Sequence, residues 1–349
     1  MTQGDVVVIG AAGQIGRAAV RVLAEDGWRV TAASRGGGRD AAWPQEVRAA
    51  ALDRADDAAL AAAVGDGCDV VVDLVAYDEE HAGQLAALAA AGRIGSAVVV
   101  STAAVYEDDA GRSFDTQGEP GGFPRYPVPV PESQRTVAPG DASYGTRKVR
   151  LERRLAASGD MLPATVLRAG AVHGAHCRTP RELYFVKRAL DGRTRRVLAY
   201  GGESRFHPVH TSNLAELIRL AARAPGSRVL NAADPEAPSV AAIAAAVDAV
   251  TGGAPETVLV PGPPPADGVG DTPWSLPHPV VLDMGGAEHA LGYRPVTSYA
   301  DSLPATVAYL TERLAAHADW RDAFPAMARA YGDGLFDYAA EDAWLASRP

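Results

Sequence analysis

The sequence predicts a doubly wound parallel α/β sheet followed by a smaller C-terminal lobe, and three observations predict it. The apolar runs Val6-Val7-Val8-Ile9, Val70-Val71-Val72 and Val98-Val99-Val100 lack the polar alternation of a sheet wetted on one face. Ala/Leu-rich segments of helical length separate these runs through residue 170, the rhythm of βαβ units. A glycine turn, Gly10-Ala11-Ala12-Gly13-Gln14-Ile15-Gly16, lies between the first apolar run and the first helical segment.

Taken in order, strands are expected near 5–9, 29–33, 47–51, 69–73, 96–101 and 164–168. Helices are expected near 14–26, 55–64, 80–92 and 143–157. Residues 106–142 are rich in proline and glycine and have little periodicity. So long a loop in a compact domain is usually functional, and it is expected to act as a lid or substrate wall. After 170 the pattern loosens, with helices near 180–191, 211–223, 239–250 and 299–316 and short strands near 228–230 and 256–260. The aromatics Trp320, Phe324, Tyr331, Phe336, Tyr338 and Trp344 predict a packed tail. The expected division is a nucleotide-binding domain over 1–170, with its loop 106–142, and a substrate lobe plus tail over 171–349.

The chain has 349 residues, 47% of them hydrophobic, and a formal net charge of −10. This is enough for a sizeable core, and the acidic balance argues against nucleic-acid and anionic-membrane partners. Cys68 and Cys177 have no metal or disulfide spacing and read as reduced thiols. No signal-peptide pattern and no run of membrane-spanning length is visible, so the expectation is a cytoplasmic protein. No metal is expected: His173 and His176 lack further ligands at suitable spacing. No G-x-S-x-G elbow supports hydrolase chemistry.

The glycine turn is suited to a dinucleotide. Gly10, Gly13 and Gly16 let backbone approach a pyrophosphate, and the N–H groups of Gln14 and Ile15 open a helix whose dipole favours anions. The second strand ends in Ser34-Arg35, without the acid that would bind the adenosine ribose of NAD. Ser34 and Arg35, with Arg39 in reach, suit a 2′-phosphate, so NADP is favoured over NAD; the plain alternative is a solvated arginine. Asp53, after the third strand, is expected either at the adenine or as a helix N-terminal acid.

Tyr144 and Lys148 are four residues apart and share one helical face. An ammonium near a phenol lowers its pKa and fits Tyr144 for proton exchange with a substrate hydroxyl during hydride transfer. Thr102, at a strand end after Ser101, offers a hydroxyl to the same oxygen. Alone, Y-x-x-x-K carries no signal, since chance supplies it often and a surface helix pair explains it. Together with the glycine turn and Ser101-Thr102, it resembles the extended short-chain dehydrogenase/reductases, the NAD(P)-dependent epimerase/dehydratase type.

The resemblance runs over roughly residues 5 to 315. Asp73-Leu74-Val75-Ala76 matches the family's fourth-strand motif, and Ser101-Thr102-Ala103-Ala104-Val105-Tyr106 matches S-[ST]-x-x-V-Y. Pro131-Glu132, Leu167 to Gly174, Arg205 to His210 and Leu291 to Pro295 match later family segments. It implies a Rossmann-type domain and a catalytic set of Thr102, Tyr144 and Lys148. Cofactor contacts are implied at Leu74, Val75, Ala76 and Ser101, and also at Tyr144 and Lys148. Substrate contacts are implied at Ala103, Tyr106, His173, His176 and Arg205. The implied substrate is a small molecule, a sugar or nucleotide-linked sugar, with Arg205 suggesting an anionic or nucleotide-bearing one. A homodimer through helices near 80–92 and 143–157 is also implied. Ala171 stands where many sugar-nucleotide members have asparagine, and His173 where tyrosine is usual. An epimerase or dehydratase, an NADPH-dependent ketone reductase and a non-catalytic cofactor sensor remain open readings.

Overall fold

The computed structural model describes residues 3–348, the side chain of Asp333 excepted. The chain forms two compact units. One comprises 1–170, 211–233 and 282–296; the other comprises 171–210, 234–281 and 297–349. A single cut after 170 therefore omits two returns of the chain to the first unit.

The first unit opens with β1 (Gly4–Ile9), α1 (Gln14–Glu25), β2 (Trp28–Ser34), β3 (Arg48–Ala51), α2 (Asp57–Val64) and β4 (Cys68–Asp73). It continues with α3 (Glu79–Ala90), β5 (Ile94–Thr102), α4 (Tyr144–Ala156) and β6 (Ala164–Ala169). The chain then enters the second unit with β7 (Ala171–His173), α5 (Leu183–Leu190), β8 (Arg195–Leu198) and β9 (Pro208–His210). It returns as α6 (Thr211–Arg223) and β10 (Arg228–Ala232), leaves as α7 (Val240–Thr251) and β11 (Glu256–Leu259), and returns again as α8 (Gly285–Leu291). The remaining helices, α9 (Tyr299–Ala315), α10 (Trp320–Ala323), α11 (Pro325–Tyr331) and α12 (Tyr338–Ala346), belong to the second unit.

The main sheet has seven parallel strands in the order β10-β6-β5-β4-β1-β2-β3. The order reverses between β1 and β4, and crevices at the carboxyl ends of strands at such a point are where ligands bind. The valine runs sit mid-sheet, buried on both faces; Val8, Val71, Val72 and Val99 have no exposure. Leu60, Leu85, Leu151 and Leu155 cover one face. On the other, α1 packs against the returning α6. A short strand near 228–230 was expected in the C-terminal lobe; instead β10 extends the main sheet by pairing with β6 from Arg228↔Thr165 to Ala232↔Ala169.

Loop 106–142 is held down closely. The Asp108 carboxylate, 2% exposed, accepts from the N–H groups of Ala110, Arg112 and Arg125 and from Arg112 Nε. Burial opposes its ionisation, but these donors prevail and hold its pKa at about 2. Tyr126 donates to the Tyr106 carbonyl (2.7 Å), and Arg168 Nη1 to that of Glu132 (3.1 Å). The segment is thus an internally bonded surface loop.

In the second unit β7 pairs with β9, and β8 with β11, each in parallel. Its core joins Leu183, Tyr184, Trp274, Leu303, Phe324 and Met327. Phe336 packs edge-on to Trp320 (5.0 Å between ring centroids), and Glu341 of α12 pairs with Arg188 (2.9 Å). The aromatic tail is therefore packed, apart from residues such as Tyr331, which is exposed.

Candidate active site

The glycine turn is built for close backbone approach. A Cβ on Gly16 would lie 2.3 Å from the Gly10 carbonyl oxygen, and one on Gly10 (φ +87°) would lie 2.7 Å from Val75 Cγ1. Only glycine fits both places. Gly13 caps α1 without a side-chain acceptor, so the first N–H groups, those of Gln14 and Ile15 among them, stay available. Gln14 Nε2 is buried and unpaired among the described residues. An orphaned donor, an uncapped helix end and a cradle that any side chain would fill together fit a dinucleotide pyrophosphate.

At the end of β2, Ser34 is half-buried and Arg35 is exposed. Arg39 is committed elsewhere: its guanidinium donates to the carbonyls of Val47 (2.6 Å), Trp43 (2.8 Å) and Pro44. It is not free for a 2′-phosphate. Asp53 accepts from the Ala55 N–H (3.1 Å), a turn-stabilising role, and Asp56 caps α2.

The end of β4 borders the turn, with the Leu74 N–H donating to Ile9 (3.1 Å). Val75 is 45% exposed, and the Ala76 side chain is buried. A buried ion pair that sequence reading did not single out braces this strand end: Arg54 Nε donates to Asp73 Oδ2 (2.8 Å) and Asp73 Oδ1 accepts from Val75 N–H (3.0 Å).

Helix α4 begins at Tyr144 because Ser143 and Thr146 form a capping box. Gly145 lets the helix approach the turn after β5, since a Cβ there would lie 2.6 Å from the Ala104 carbonyl oxygen. This brings Tyr144 beside Thr102, whose hydroxyl favours the phenolate. Lys148 Nζ lies 5.7 Å from the Tyr144 ring centroid and donates to the carbonyls of Ala76 (2.6 Å) and Val100 (2.9 Å). Thr102, Tyr144 and Lys148 thus meet at the carboxyl edge of the sheet, next to the 74–76 segment.

Burial raises the Tyr144 pKa above its usual value, the Thr102 hydroxyl lowers it, and nearby Tyr77 raises it. Burial lowers Lys148 to about 8, against the attraction of Asp73, Glu152 and Asp78. The ammonium still predominates at neutral pH, donating to two carbonyls with the Tyr144 ring 5.7 Å away.

Three neighbours placed by motif are structural. Ser101 donates to Glu152 Oε1 (2.5 Å) inside a buried network in which Arg168 Nη2 meets Glu152 Oε2 (2.7 Å), so its hydroxyl is committed to that network. Tyr106 is fully buried, donates to Asn231 Oδ1 (2.5 Å) and lies under the Arg168 guanidinium (4.9 Å), so it cannot touch substrate. Ala103 is 3% exposed and also belongs to the interior. Glu152 stands one turn after Lys148, a spacing that could have flagged it.

His173, His176 and Arg205 belong to the second unit. His173 is 1% exposed, with Nε2 2.7 Å from Asp234 Oδ2 and Nδ1 3.7 Å from Glu182 Oε1. It is a buried, doubly faced imidazole and not a surface ligand. His176, in left-handed backbone (φ +64°), packs on Tyr309 (4.8 Å). Arg205 is exposed and donates to the Ala237 carbonyl (3.3 Å). Among the described residues no cluster of three or more His, Cys, Asp or Glu side chains is arranged to hold a metal, and no helix is long and apolar enough to cross a membrane.

The fold recurs in solved structures. The UDP-N-acetylglucosamine 4-epimerase from Bacillus cereus superposes with a TM-score of 0.67 at 16% identity, over 87% of this chain and 98% of that one. A UDP-glucose 4-epimerase from Thermotoga maritima gives 0.66 at 20% identity, over 89% and 99%. The Bordetella bronchiseptica enzyme WbmH, in complex with NAD+, gives 0.65 at 20% identity, over 88% and 98%. Such identities carry the fold alone. No curated protein sequence matches the chain significantly. The model of the NAD dependent epimerase/dehydratase family matches residues 6–233. With the glycine turn, the Thr102/Tyr144/Lys148 set and this match over most of its length, the chain belongs to that family, within the extended short-chain dehydrogenase/reductases, and is an NAD-dependent enzyme of that type.

Proposed function

We propose that the enzyme oxidises or reduces a secondary alcohol or ketone on a nucleotide-linked sugar, with Tyr144 as the acid/base. The meeting of Tyr144, Thr102 and Lys148 beside the glycine turn is the observation that supports this most. The nicotinamide group, when bound, accepts or supplies the hydride. The chain does the rest. Gly10, Gly13 and Gly16 with the start of α1 hold the pyrophosphate. Thr102 fixes the reacting oxygen, and Tyr144 exchanges its proton. Lys148 has one N–H left after Ala76 and Val100 for a ribose hydroxyl. The epimerase neighbours favour this substrate class.

A second reading, an NADPH-dependent reductase of a non-nucleotide ketone, is favoured by the end of β2, where no acid stands and exposed Arg35 has no carboxylate partner among the described residues. Denaturing freshly purified protein and identifying any released nucleotide by mass spectrometry separates the two. Retained NAD supports internal recycling as in an epimerase. A nucleotide-free protein that titrates with NADPH more tightly than NADH would overturn the first reading in favour of the second.

A further inference from the structure

We propose that Arg147 and Tyr77 form a recognition subsite beside Tyr144 for an oxyanion, a carboxylate or phosphate, carried on the sugar of the substrate. This deepens the functional reading above and rests on its placement of Tyr144 at the reacting carbon.

Tyr77 follows the 74–76 segment and is 37% exposed; Tyr144 is 43% exposed. Their ring centroids are 5.6 Å apart at an interplanar angle of 41°. The Arg147 guanidinium carbon lies 5.2 Å from the Tyr77 centroid. The three side chains therefore form a continuous layer from the acid/base outward. Both flanking groups are anchored. The Tyr77 N–H donates to His81 Nδ1 (3.3 Å) in the cap of α3, and Arg147 Nε donates to the Ser143 carbonyl (3.3 Å) in the cap of α4. The aromatic face and the cap hold the fork still, which lowers the entropy cost of using it.

Charge says what the fork is for. Acidic residues outnumber basic ones in this chain, 43 to 33. Arg150, one turn further along α4, takes both Glu79 (2.6 Å) and Asp141 (2.5 Å). Arg147 has no carboxylate partner among the described residues, and its two terminal nitrogens make no hydrogen bond there. A half-buried guanidinium with a free planar fork, within one turn of the acid/base, matches a bidentate oxyanion. The cofactor's pyrophosphate is the other possible source, but it has its own seat at Gly10–Gly16.

Phenylglyoxal modification of the native protein, read at Arg147 by peptide mass spectrometry against exposed Arg153, tests this. The arms are NAD+ alone, then NAD+ with malonate, inorganic phosphate, UDP-glucose or UDP-glucuronate. We expect malonate, phosphate and UDP-glucuronate to slow Arg147 modification about tenfold at ten times their Kd. NAD+ alone should do little, and Arg153 should be unaffected throughout. The variant Arg147→Met should bind UDP-glucuronate roughly tenfold less well and UDP-glucose about as before. Protection by NAD+ alone, or by none of the additions, overturns the proposal. Protection by malonate or phosphate with no binding of either UDP-sugar upholds the oxyanion subsite and rejects the nucleotide-sugar reading.

Discussion

Tyr106 and Tyr144 flank the same strand end, and the contrast between them is that of a sealed phenol and an open one. Each is more basic than free tyrosine, with burial the largest cause, and Tyr106 reaches about 12. Tyr106 is sealed in. Its hydroxyl donates to Asn231, whose amide nitrogen in turn reaches the carbonyls of Val130 (3.0 Å) and Asp283 (3.1 Å). Tyr144 is 43% exposed, and the Thr102 hydroxyl beside it favours its phenolate. A shifted pKa therefore does not distinguish the phenol proposed to react. What distinguishes it is its exposure beside Thr102 and Lys148.

The contrast breaks most visibly on removing the two hydroxyls separately. Tyr144→Phe should lower turnover about 10²- to 10⁴-fold, the range for loss of a positioned acid/base. The thermal midpoint should hold, and cofactor affinity, by NADH fluorescence titration, should shift less than about threefold. Full activity in this variant would sink the assignment. The Arg168–Glu152 network beneath Tyr106 should show the opposite profile. Arg168→Met leaves the Glu152 carboxylate buried without its cation and should cost about 3–5 kcal/mol in denaturant unfolding. Adding Glu152→Gln should recover much of that loss, because the stranded charge is gone.

Tyr106→Phe should be milder. It leaves Asn231 Oδ1 without its donor and should cost about 1–3 kcal/mol, with activity per folded molecule unchanged. A loss of turnover comparable to that of Tyr144→Phe, with stability intact, would restore Tyr106 to the substrate site.

The same contrast explains what the sequence could tell. Thr102, Tyr144 and Lys148 were legible because strand and helix periodicity fix which residues share an edge or a face. That Tyr106, Ser101 and His173 would be buried with internal partners was not legible, because a motif gives position along the chain, not which way a side chain turns. Tyr77 and Arg147 were not read at all, since they meet only through the packing of the segment after β4 against α4. In the fold, the long valine strands and the helices of the first 170 residues lie within a few residues of their expected bounds. The three-residue strands β7 and β9 were too short to show a period. Helix α8 opens on Gly285-Gly286, which reads as loop. Strand β10 was seen as a strand, but its partner β6 lies some sixty residues earlier, beyond any local pattern.

The smallest effect expected concerns the loop that runs between the two tyrosines. Asp108 in the folded chain has a pKa of about 2, against roughly 3.9 for an unfolded aspartate. A depressed carboxylate stabilises the fold above the unfolded value, and that contribution is lost as pH falls from about 4 towards 2. Three N–H groups and Arg112 then lose a charged acceptor. Protection factors of the amides within 106–126, relative to intrinsic exchange at the same pH, should therefore fall on acidification through this window, before those of the valine strands do. In Asp108→Asn the loop's protection should be lower already at pH 7, with little further change down to pH 3. An acid-insensitive loop in the parent protein would mean that Tyr126 and the Val105–Val137 backbone bond, rather than the carboxylate, hold the segment that encloses Tyr106.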